Sequence, residues 1–283
     1  MRELSYRLVN VFTLDGDPLS GNPLCVFEDG RSLDGAEMQE LALQFNLSET
    51  TFILPSERAA ARVRIFTPGF EMPFAGHPTL GTAHVVRSLR GGGDAVTLEM
   101  GAGLIPVSAE GDEWRLAARA PTSRPVTATP AELAQMLGID PDDVVDVPLW
   151  IDTGSEQLLI PLASPDAVRR CVPDAALLCR HGALRDGGYL TYVWAEAGRD
   201  QVEARFFFPK GPTVIEDPAT GSACANLGGW FLARQAKLPL ARVIHQGDAV
   251  KRPSRLRLHV DDEKHIFVSG KVVELGRGTL HLS

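Results

Sequence analysis

The sequence has few cysteines, and none is arranged as a metal site or a disulfide framework. Its 283 residues include four cysteines, at Cys25, Cys171, Cys179 and Cys224. None belongs to a Cys-x-x-Cys pair, and no pair of histidines has the spacing of zinc ligands. Each cysteine stands among apolar neighbours, which is typical of buried thiols in a reducing compartment. We therefore expect free thiols and no bound metal.

Other signals are also missing, and each absence excludes a class of protein. No run of about 18 apolar residues occurs, so no membrane-spanning helix is predicted. The first residues lack the apolar core of a signal peptide, so we expect a cytoplasmic protein. The formal net charge of −8 disfavours nucleic acid as a partner, because phosphate binding requires a basic face. No Gly-x-Ser-x-Gly nucleophile motif and no phosphate-binding loop occurs.

The apolar residues predict strands that alternate with helices. Hydrophobic residues make up 44% of the sequence, which suffices for one large core or two ordinary ones. A Pro-, Thr- and Ser-rich stretch over 120–130 is the predicted domain boundary. We place the first domain at 1–118 and the second at 119–276. Whether a C-terminal strand over 277–283 completes the first domain is left open.

The second half of the sequence repeats the first at a spacing of about 140 residues. Four pairs of segments match in the same order, namely Gly21-Asn22 with Gly154-Ser155, Thr51–Leu54 with Thr191–Trp194, Arg64–Pro68 with Arg205–Pro209, and Pro78–Ala83 with Pro218–Ala223. A repeat of this length predicts two similar domains, because the period of a solenoid is roughly 20–50 residues.

Each half also contains a proline at a predicted helix start, followed by small residues. Proline is favoured at the first helical position, so Pro78 and Pro218 are placed there. Asp217 is then the N-cap of the second helix, and His77 occupies the equivalent place in the first. Two helix starts that face each other across a cleft would bind a small carboxylate through backbone amides and the helix dipoles. The residues alone are equally consistent with an Asp217 that only caps and a His77 that only packs.

Glu49 is a further candidate, because it stands between a helix end and an apolar strand. A carboxylate in such a place is usually solvated. It becomes an acid/base candidate if the strand delivers it to the cleft, since burial raises the pKa of a carboxyl group towards the working pH.

Over nearly its full length the chain resembles the PhzF family, the phenazine-biosynthesis isomerase-like proteins. The resemblance is carried by Val11-Phe-Thr13, Gly21-Asn-Pro23, Ser48-Glu-Thr50, Arg64–Pro68, Phe74–Thr79 with Gly81-Thr82, Glu216–Ala223 and Gln246-Gly247. It implies an α/β fold of the diaminopimelate-epimerase-like type. Two pseudo-symmetric domains would each wrap a curved mixed sheet around a central helix, with the active site in the cleft between them.

The resemblance also implies roles for individual residues. Glu49 would be the general acid/base of an isomerase that resembles trans-2,3-dihydro-3-hydroxyanthranilate isomerase, with His77 and Asp217 as the other catalytic residues. The residues expected to bind the substrate are Gly76, Gly221, Ser222, Ser48 and Asn22. The substrate would be a small carboxylate, no metal or organic cofactor is implied, and a homodimer is expected.

Two alternatives remain open at this point. The first is a racemase or epimerase acting on an amino or hydroxy acid, which in this superfamily uses two opposed cysteines. This chain carries Gly76 and Asp217 at the places matched to them, although Cys224 is near in sequence. The second is a non-catalytic binding or scaffold protein, against which the presence of Glu49, His77 and Asp217 counts. The roles of Cys224 and Gln246-Gly247 are undecided from the residues.

Overall fold

A computed structural model describes residues 1–184 and 188–282 of the chain. The chain divides into two compact units, Met1–Ala117 with Ser269–Ser283, and Ala118–Val268. It returns to the first unit at Ser269, earlier than the predicted position 277. The first unit is therefore assembled from both ends of the chain, and the second unit is one continuous segment.

The first unit contains two helices, eight complete strands and the end of the last strand. Its elements are β1 (Arg2–Val11), β2 (Asn22–Phe27), α1 (Gly35–Phe45), β3 (Glu49–Leu54), β4 (Ala61–Phe66), β5 (Glu71–Met72), α2 (Gly76–Leu89), β6 (Ala95–Met100), β7 (Gly103–Glu110) and β8 (Glu113–Ala117). The second unit follows with β9 (Thr122–Pro125), α3 (Pro130–Leu137), β10 (Leu149–Asp152), β11 (Glu156–Pro161), α4 (Pro165–Arg170), α5 (Ala175–His181), β12 (Thr191–Gly198), β13 (Gln201–Lys210), β14 (Thr213–Asp217), α6 (Gly221–Ala233), β15 (Leu240–Gln246) and β16 (Ser254–Val260). The last strand is β17 (Ile266–Leu282), which continues into the first unit.

The strands of the first unit form a closed mixed barrel. Antiparallel pairs join β17 to β1 and β1 to β2, and a parallel pair joins β2 to β3. The ladder continues through β4, β6, β7 and β8. Pairing of β8 with β17 completes the ring. Closure leaves these strands without an exposed edge.

Helix α2 lies inside this barrel and is buried over its first two turns. It contacts strands on several sides, including β1, β2, β6 and β8. A Cβ atom at Gly81 would lie 2.6 Å from a methyl group of Leu24. The absence of a side chain at this position therefore lets β2 pack directly against the helix.

The second unit repeats the pairing order of the first. Its ladder runs from β9 through β10, β11, β12 and β13 to β15 and β16, with β14 paired to β13. The β11–β12 and β13–β15 pairs are parallel, as are the equivalent β2–β3 and β4–β6 pairs. Helix α6 packs against β9, β10, β11 and β16. In α6 the close approaches occur at Gly228 and Gly229, where an added Cβ would meet Ile266 or Ile151 within 3 Å.

Both units also contain an arginine that pairs with a glutamate and lies near a phenylalanine ring. Arg64 pairs with Glu71 at 2.6 Å, and its guanidinium lies 5.0 Å from the ring centre of Phe66. Arg205 pairs with Glu216 at 2.7 Å and lies 4.9 Å from the ring centre of Phe207. These contacts align Arg64 with Arg205, as the sequence repeat predicts.

With Arg64 aligned to Arg205, the predicted match between strands β3 and β12 shifts by one residue. Thr50 pairs with Phe66 in the first unit, and Thr191 pairs with Phe207 in the second. Thr50 is therefore the equivalent of Thr191, and Glu49 is the equivalent of Leu190. The expected match of Thr51 with Thr191 is wrong because strand register, and not the run of apolar letters, fixes which residues correspond.

The Pro-, Thr- and Ser-rich stretch is not an open linker. The division between the units falls at Ala118, ahead of the stretch, and residues Thr122–Pro125 within it form β9.

In the described part of the chain, every helix is too short or too polar to cross a bilayer.

Candidate active site

One cluster of candidate residues lies in the first unit, where β2, β3 and α2 begin. Asn22 is the first residue of β2, and Glu49 is the first residue of β3. Because these strands are parallel, with Leu24 opposite Glu49, their starting residues lie side by side. Gly76 and His77 are the first two residues of α2. The fold thus brings candidates that are far apart in sequence to one end of the barrel.

Glu49 and His77 are direct neighbours in this cluster. The Oε2 atom of Glu49 lies 3.5 Å from Nδ1 of His77, and the two side chains are 16% and 6% exposed. Burial lowers the pKa of His77 to about 3, and a hydrogen bond to the carbonyl of Pro23 opposes this shift only in part. The imidazole is therefore neutral at pH 7, and it brings no positive charge to Glu49.

The remaining candidates of this cluster surround that pair. Ser48 precedes Glu49, and its hydroxyl donates to Oδ1 of Asn22 at 3.5 Å, the long limit for a hydrogen bond. Asn22 is fully buried. The Nε2 atom of His77 is buried and has no hydrogen-bond partner among the described residues. A buried nitrogen without a partner in the protein is suited to contact a bound molecule.

A second cluster lies in the second unit, around the loop between β14 and α6. Asp217 is the last residue of β14. Its Oδ2 atom accepts a 2.5 Å hydrogen bond from the hydroxyl of Thr220. The buried Gln246 holds the same loop, since its Nε2 donates to the Asp217 carbonyl at 2.9 Å and to the Thr220 hydroxyl at 3.0 Å. The Thr220 hydroxyl accepts from Gln246, and its own proton is thereby directed to Asp217.

Gly247 supports the loop from the other side. Its φ is +91°, and a Cβ atom there would lie 2.5 Å from the carbonyl oxygen of Pro218. Only glycine fits both the backbone conformation and the close approach. The Gln246-Gly247 pair, which was undecided from the residues, therefore fixes the backbone on which Asp217 stands.

The helix starts differ from those predicted. Helix α2 begins at Gly76, so Pro78 is its third residue and not its first. Helix α6 begins at Gly221 with Thr220 as N-cap, so Pro218 and Asp217 precede the helix. The start of α6 is explained by Gln246, because its hydrogen bonds to Asp217 and Thr220 hold residues 217–220 outside the helix. His77 is consequently the equivalent of Ser222 and not of Asp217.

The N-termini of α2 and α6 differ from those of the other helices. Asp34, Thr129, Ser164 and Asp174 each cap a helix by accepting a hydrogen bond from a backbone amide. Neither Ala75 nor Thr220 makes such a bond in the described part of the chain. Because the first amides of a helix carry partial positive charge, an N-terminus without a side-chain cap attracts an anion. Gly76, Gly221 and Ser222 supply the first amides of these two helices.

The cysteines are poorly suited to acid/base chemistry. Burial raises the pKa of the Cys25 and Cys224 thiols far above the ordinary value, and that of Cys171 to about 12. Cys224 is fully buried within α6. A thiolate is the reactive form, so these three side chains are inert near pH 7. Within residues 1–184 and 188–282, no group of three or more His, Cys, Asp or Glu side chains could hold a metal ion.

The structure groups the predicted residues into these two clusters, one in each unit. The convergence of both clusters on one cleft stays a prediction. Sequence reasoning missed the support given by Thr220 and Gln246, although both stand in segments that carried the family resemblance. It also missed Gln157 and Asn226, two buried amides that bond to each other. Their only signal was the presence of polar residues in otherwise apolar elements.

Known proteins resemble the chain along its whole length. The family of phenazine biosynthesis-like proteins matches residues 9–278. An uncharacterised isomerase of Pasteurella multocida is 38% identical, over 98% of this chain and 93% of its own length. Trans-2,3-dihydro-3-hydroxyanthranilate isomerase of Pseudomonas aeruginosa is 35% identical, over 98% of this chain and 100% of its own length.

A solved structure agrees with these relatives. The phenazine biosynthesis protein of Bacillus anthracis, of the PhzF family, superposes with a TM-score of 0.87 at 25% identity, covering 100% of both chains. The family and the fold expected from the sequence are thereby confirmed. The chain belongs to the family of phenazine biosynthesis-like proteins, and it is an isomerase.

Proposed function

We propose that this isomerase moves a proton from one carbon to another within a small cyclic carboxylate, with Glu49 as the general acid/base. The observation that carries the proposal is the pairing of the half-buried Glu49 with the neutral His77 at the start of α2. The P. aeruginosa relative is named for trans-2,3-dihydro-3-hydroxyanthranilate, and we propose a substrate of that class.

A single carboxylate suffices for this reaction. Glu49 would remove a proton from a saturated ring carbon, and the C–H electron pair would enter the adjacent diene. The far end of the diene would then take a proton from the Glu49 carboxylic acid, which exchanges its proton with solvent before that transfer. Atoms and charge balance within the substrate and Glu49. The position equivalent to Glu49 in the second unit is Leu190, which supports one base and not two.

His77 would orient the carboxylate without changing its charge. Because its imidazole is neutral at pH 7, it offers hydrogen bonds and not a full charge to its neighbours. A protonated imidazole 3.5 Å from Glu49 would stabilise the carboxylate and so weaken it as a base. Keeping His77 neutral therefore preserves the basicity of Glu49.

The backbone amides at an uncapped helix start would bind the substrate carboxylate. Gly76, Gly221 and Ser222 supply these amides, and the helix dipoles add to their attraction for an anion. Ser48 and Asn22 are proposed as further contacts, and Asp217 would accept a hydrogen bond from a hydroxyl or amino group. The proposal requires no metal or organic cofactor.

Turnover of trans-2,3-dihydro-3-hydroxyanthranilate in D2O by wild type and Glu49→Gln tests the proposal. Glutamine keeps the size of the side chain but cannot carry the proton. We expect Glu49→Gln to lower kcat by at least about 100-fold, the lower range for positioned acid/base catalysis. Deuterium should enter the product at the reprotonated carbon in the wild type.

Glu40→Gln is the matched control, because it makes the same change on an exposed face of α1. It should retain wild-type turnover and thermal stability. Wild-type rates from Glu49→Gln would remove Glu49 from the mechanism. Absence of turnover by the wild type, over this compound and a panel of related cyclic carboxylates, would favour a binding protein that retains the fold.

A further inference from the structure

A buried polar network leads from the centre of α6 to the start of that helix. Asn226 is fully buried and Gln157 is 1% exposed. The Nδ2 atom of Asn226 donates to Oε1 of Gln157 at 2.9 Å, and Nε2 of Gln157 donates to Oγ of Ser222 at 2.8 Å. Ser222 is only partly buried, whereas the residues on either side of it are buried. The network therefore ends at Ser222, a residue that is partly open to solvent.

A backbone amide sets the direction of every hydrogen bond in this network. The N–H of Thr153 can only donate, and it lies 2.9 Å from the Asn226 side chain, which identifies the acceptor as Oδ1. Nδ2 of Asn226 must then face Gln157 and the carbonyl of Ser155. Gln157 consequently accepts with Oε1 and donates with Nε2. The Ser222 oxygen accepts the hydrogen bond from Nε2 of Gln157, so the hydroxyl proton of Ser222 points to another acceptor.

The first unit has nothing of this kind at the equivalent positions. Strand register aligns Gln157 with Leu24, and the helix starts align Asn226 with Gly81. Gly81 and Leu24 make an apolar contact in the barrel. A buried amide pair must satisfy all of its hydrogen bonds to avoid a loss of stability, whereas an apolar contact carries no such demand. Packing alone therefore does not account for the amides.

We infer that Gln157 and Asn226 are positioning residues that turn the Ser222 hydroxyl into a hydrogen-bond donor for the substrate carboxylate. Ser222 then presents two donors, its hydroxyl and its backbone amide, beside the amide of Gly221 at the uncapped start of α6. A carboxylate accepts at both oxygens and donates nothing, so a cluster made only of donors matches it. The inference rests on the anion site of the proposed function and deepens it.

A double-mutant cycle between Gln157 and Ser222 tests the inference. The probe is anthranilate, a stable aromatic carboxylate, and its Kd is measured by calorimetry for wild type, Ser222→Ala, Gln157→Met and the double variant. We expect Ser222→Ala to raise Kd about tenfold, as the loss of one hydrogen bond to a charged group does. Gln157→Met should raise Kd about fivefold in the wild type and less than twofold in the Ser222→Ala background.

Turnover gives the second readout. Gln157→Met should raise KM for trans-2,3-dihydro-3-hydroxyanthranilate by the same factor as Kd, with kcat nearly unchanged. Gln201→Met is the matched control, because Gln201 is the first residue of β13 and its side chain bonds to His245. It should leave Kd unchanged. If Gln157→Met does not fold, Gln157→Glu replaces it. The new carboxylate would accept a hydrogen bond from the Ser222 hydroxyl, so that the hydroxyl proton points away from the substrate. The Kd for anthranilate should then rise at least fivefold.

The outcomes separate the inference from the proposed function. If Gln157→Met raises the Kd for anthranilate by the same factor in the wild type and in Ser222→Ala, the inference is overturned and the isomerase mechanism is unaffected. Coupled effects on anthranilate binding in a protein that does not turn over the dihydro compound would support the inference and contradict the proposed substrate. Failure of the wild type to bind anthranilate or any carboxylate of the panel would overturn both.

Discussion

The neutral state of His77 predicts how the stability of the protein depends on pH. An unfolded histidine has a pKa of about 6.5, whereas burial lowers the pKa of His77 in the folded protein to about 3. Between these two values the unfolded chain binds a proton and the folded chain does not. The free energy of unfolding therefore falls as the pH is lowered through this range.

The size of this effect follows from the same two values. At pH 5 the unfolded imidazole is almost fully protonated, and the folded one stays neutral. Lowering the pH from 7 to 5 should then cost about 2 kcal/mol of stability from His77 alone. Because the side chain is only 6% exposed, solvent screens little of this effect.

Urea unfolding of wild type and His77→Asn at pH 7 and pH 5 measures the difference. His77→Asn should be less stable than wild type at pH 7, and it should lose about 2 kcal/mol less on acidification. Glu40→Gln is the control, since it changes an exposed carboxylate of α1, leaves His77 and Glu49 intact and should keep the wild-type pH dependence. Equal losses in wild type and His77→Asn, or an NMR titration of His77 with a midpoint near 6.5, would refute the reasoning.

Three further predictions concern the supports of the site and its chemistry. Gly247→Ala should destabilise the protein by more than about 1 kcal/mol, because a Cβ there meets the Pro218 carbonyl at a φ of +91°; thermal unfolding measures this, and an unchanged Tm would contradict it. Iodoacetamide at pH 8 should modify about one thiol of the native protein, the exposed Cys179, since the other three cysteines are buried; mass spectrometry would show rapid labelling of Cys224 if this were wrong. Dialysis against EDTA should leave turnover unchanged, because the described side chains form no metal-binding group, and activity restored only by added metal would disprove this.

The sequence predicted the elements of the fold well where short-range patterns decide them. Strand Ala61–Phe66 coincides with a short run rich in apolar residues, and in helix Gly35–Phe45 the buried residues Met38, Leu41 and Ala42 have helical spacing. The duplication was visible because both units need the same turn and ion-pair residues, such as Arg64 and Arg205. The bounds of the β9 segment were missed because its Pro, Thr and Ser residues favour a loop, and only pairing with β10 makes it a strand.

The candidate site was predictable only in part. Glu49 and His77 were selected through the family resemblance, but their contact depends on the parallel register of β2 with β3 and on the exact start of α2. Local preferences placed Asp217 at a helix N-cap, where aspartate is common. The Gln246 side chain, distant in sequence, overrides that preference and leaves Asp217 in the strand. Tertiary hydrogen bonds of this kind leave no local trace in the sequence.

The discontinuous first unit has a consequence for synthesis on the ribosome. Strand β1 pairs with β2 on one side and with residues 272–282 on the other. The second of these pairings joins residues that are separated in the chain by the whole of the second unit. While the chain emerges, residues 118–268 are complete as a segment before the barrel around α2 can be sealed.

Until then β1 has one open hydrogen-bonding edge, which is a hazard for misassociation. Sealing the β1–β17 seam closes a very long loop, a step with a high entropic cost that slows folding. The protein therefore depends on residues made after the second unit to finish the unit that contains Glu49, and early folding of the continuous unit would shorten the effective length of that loop.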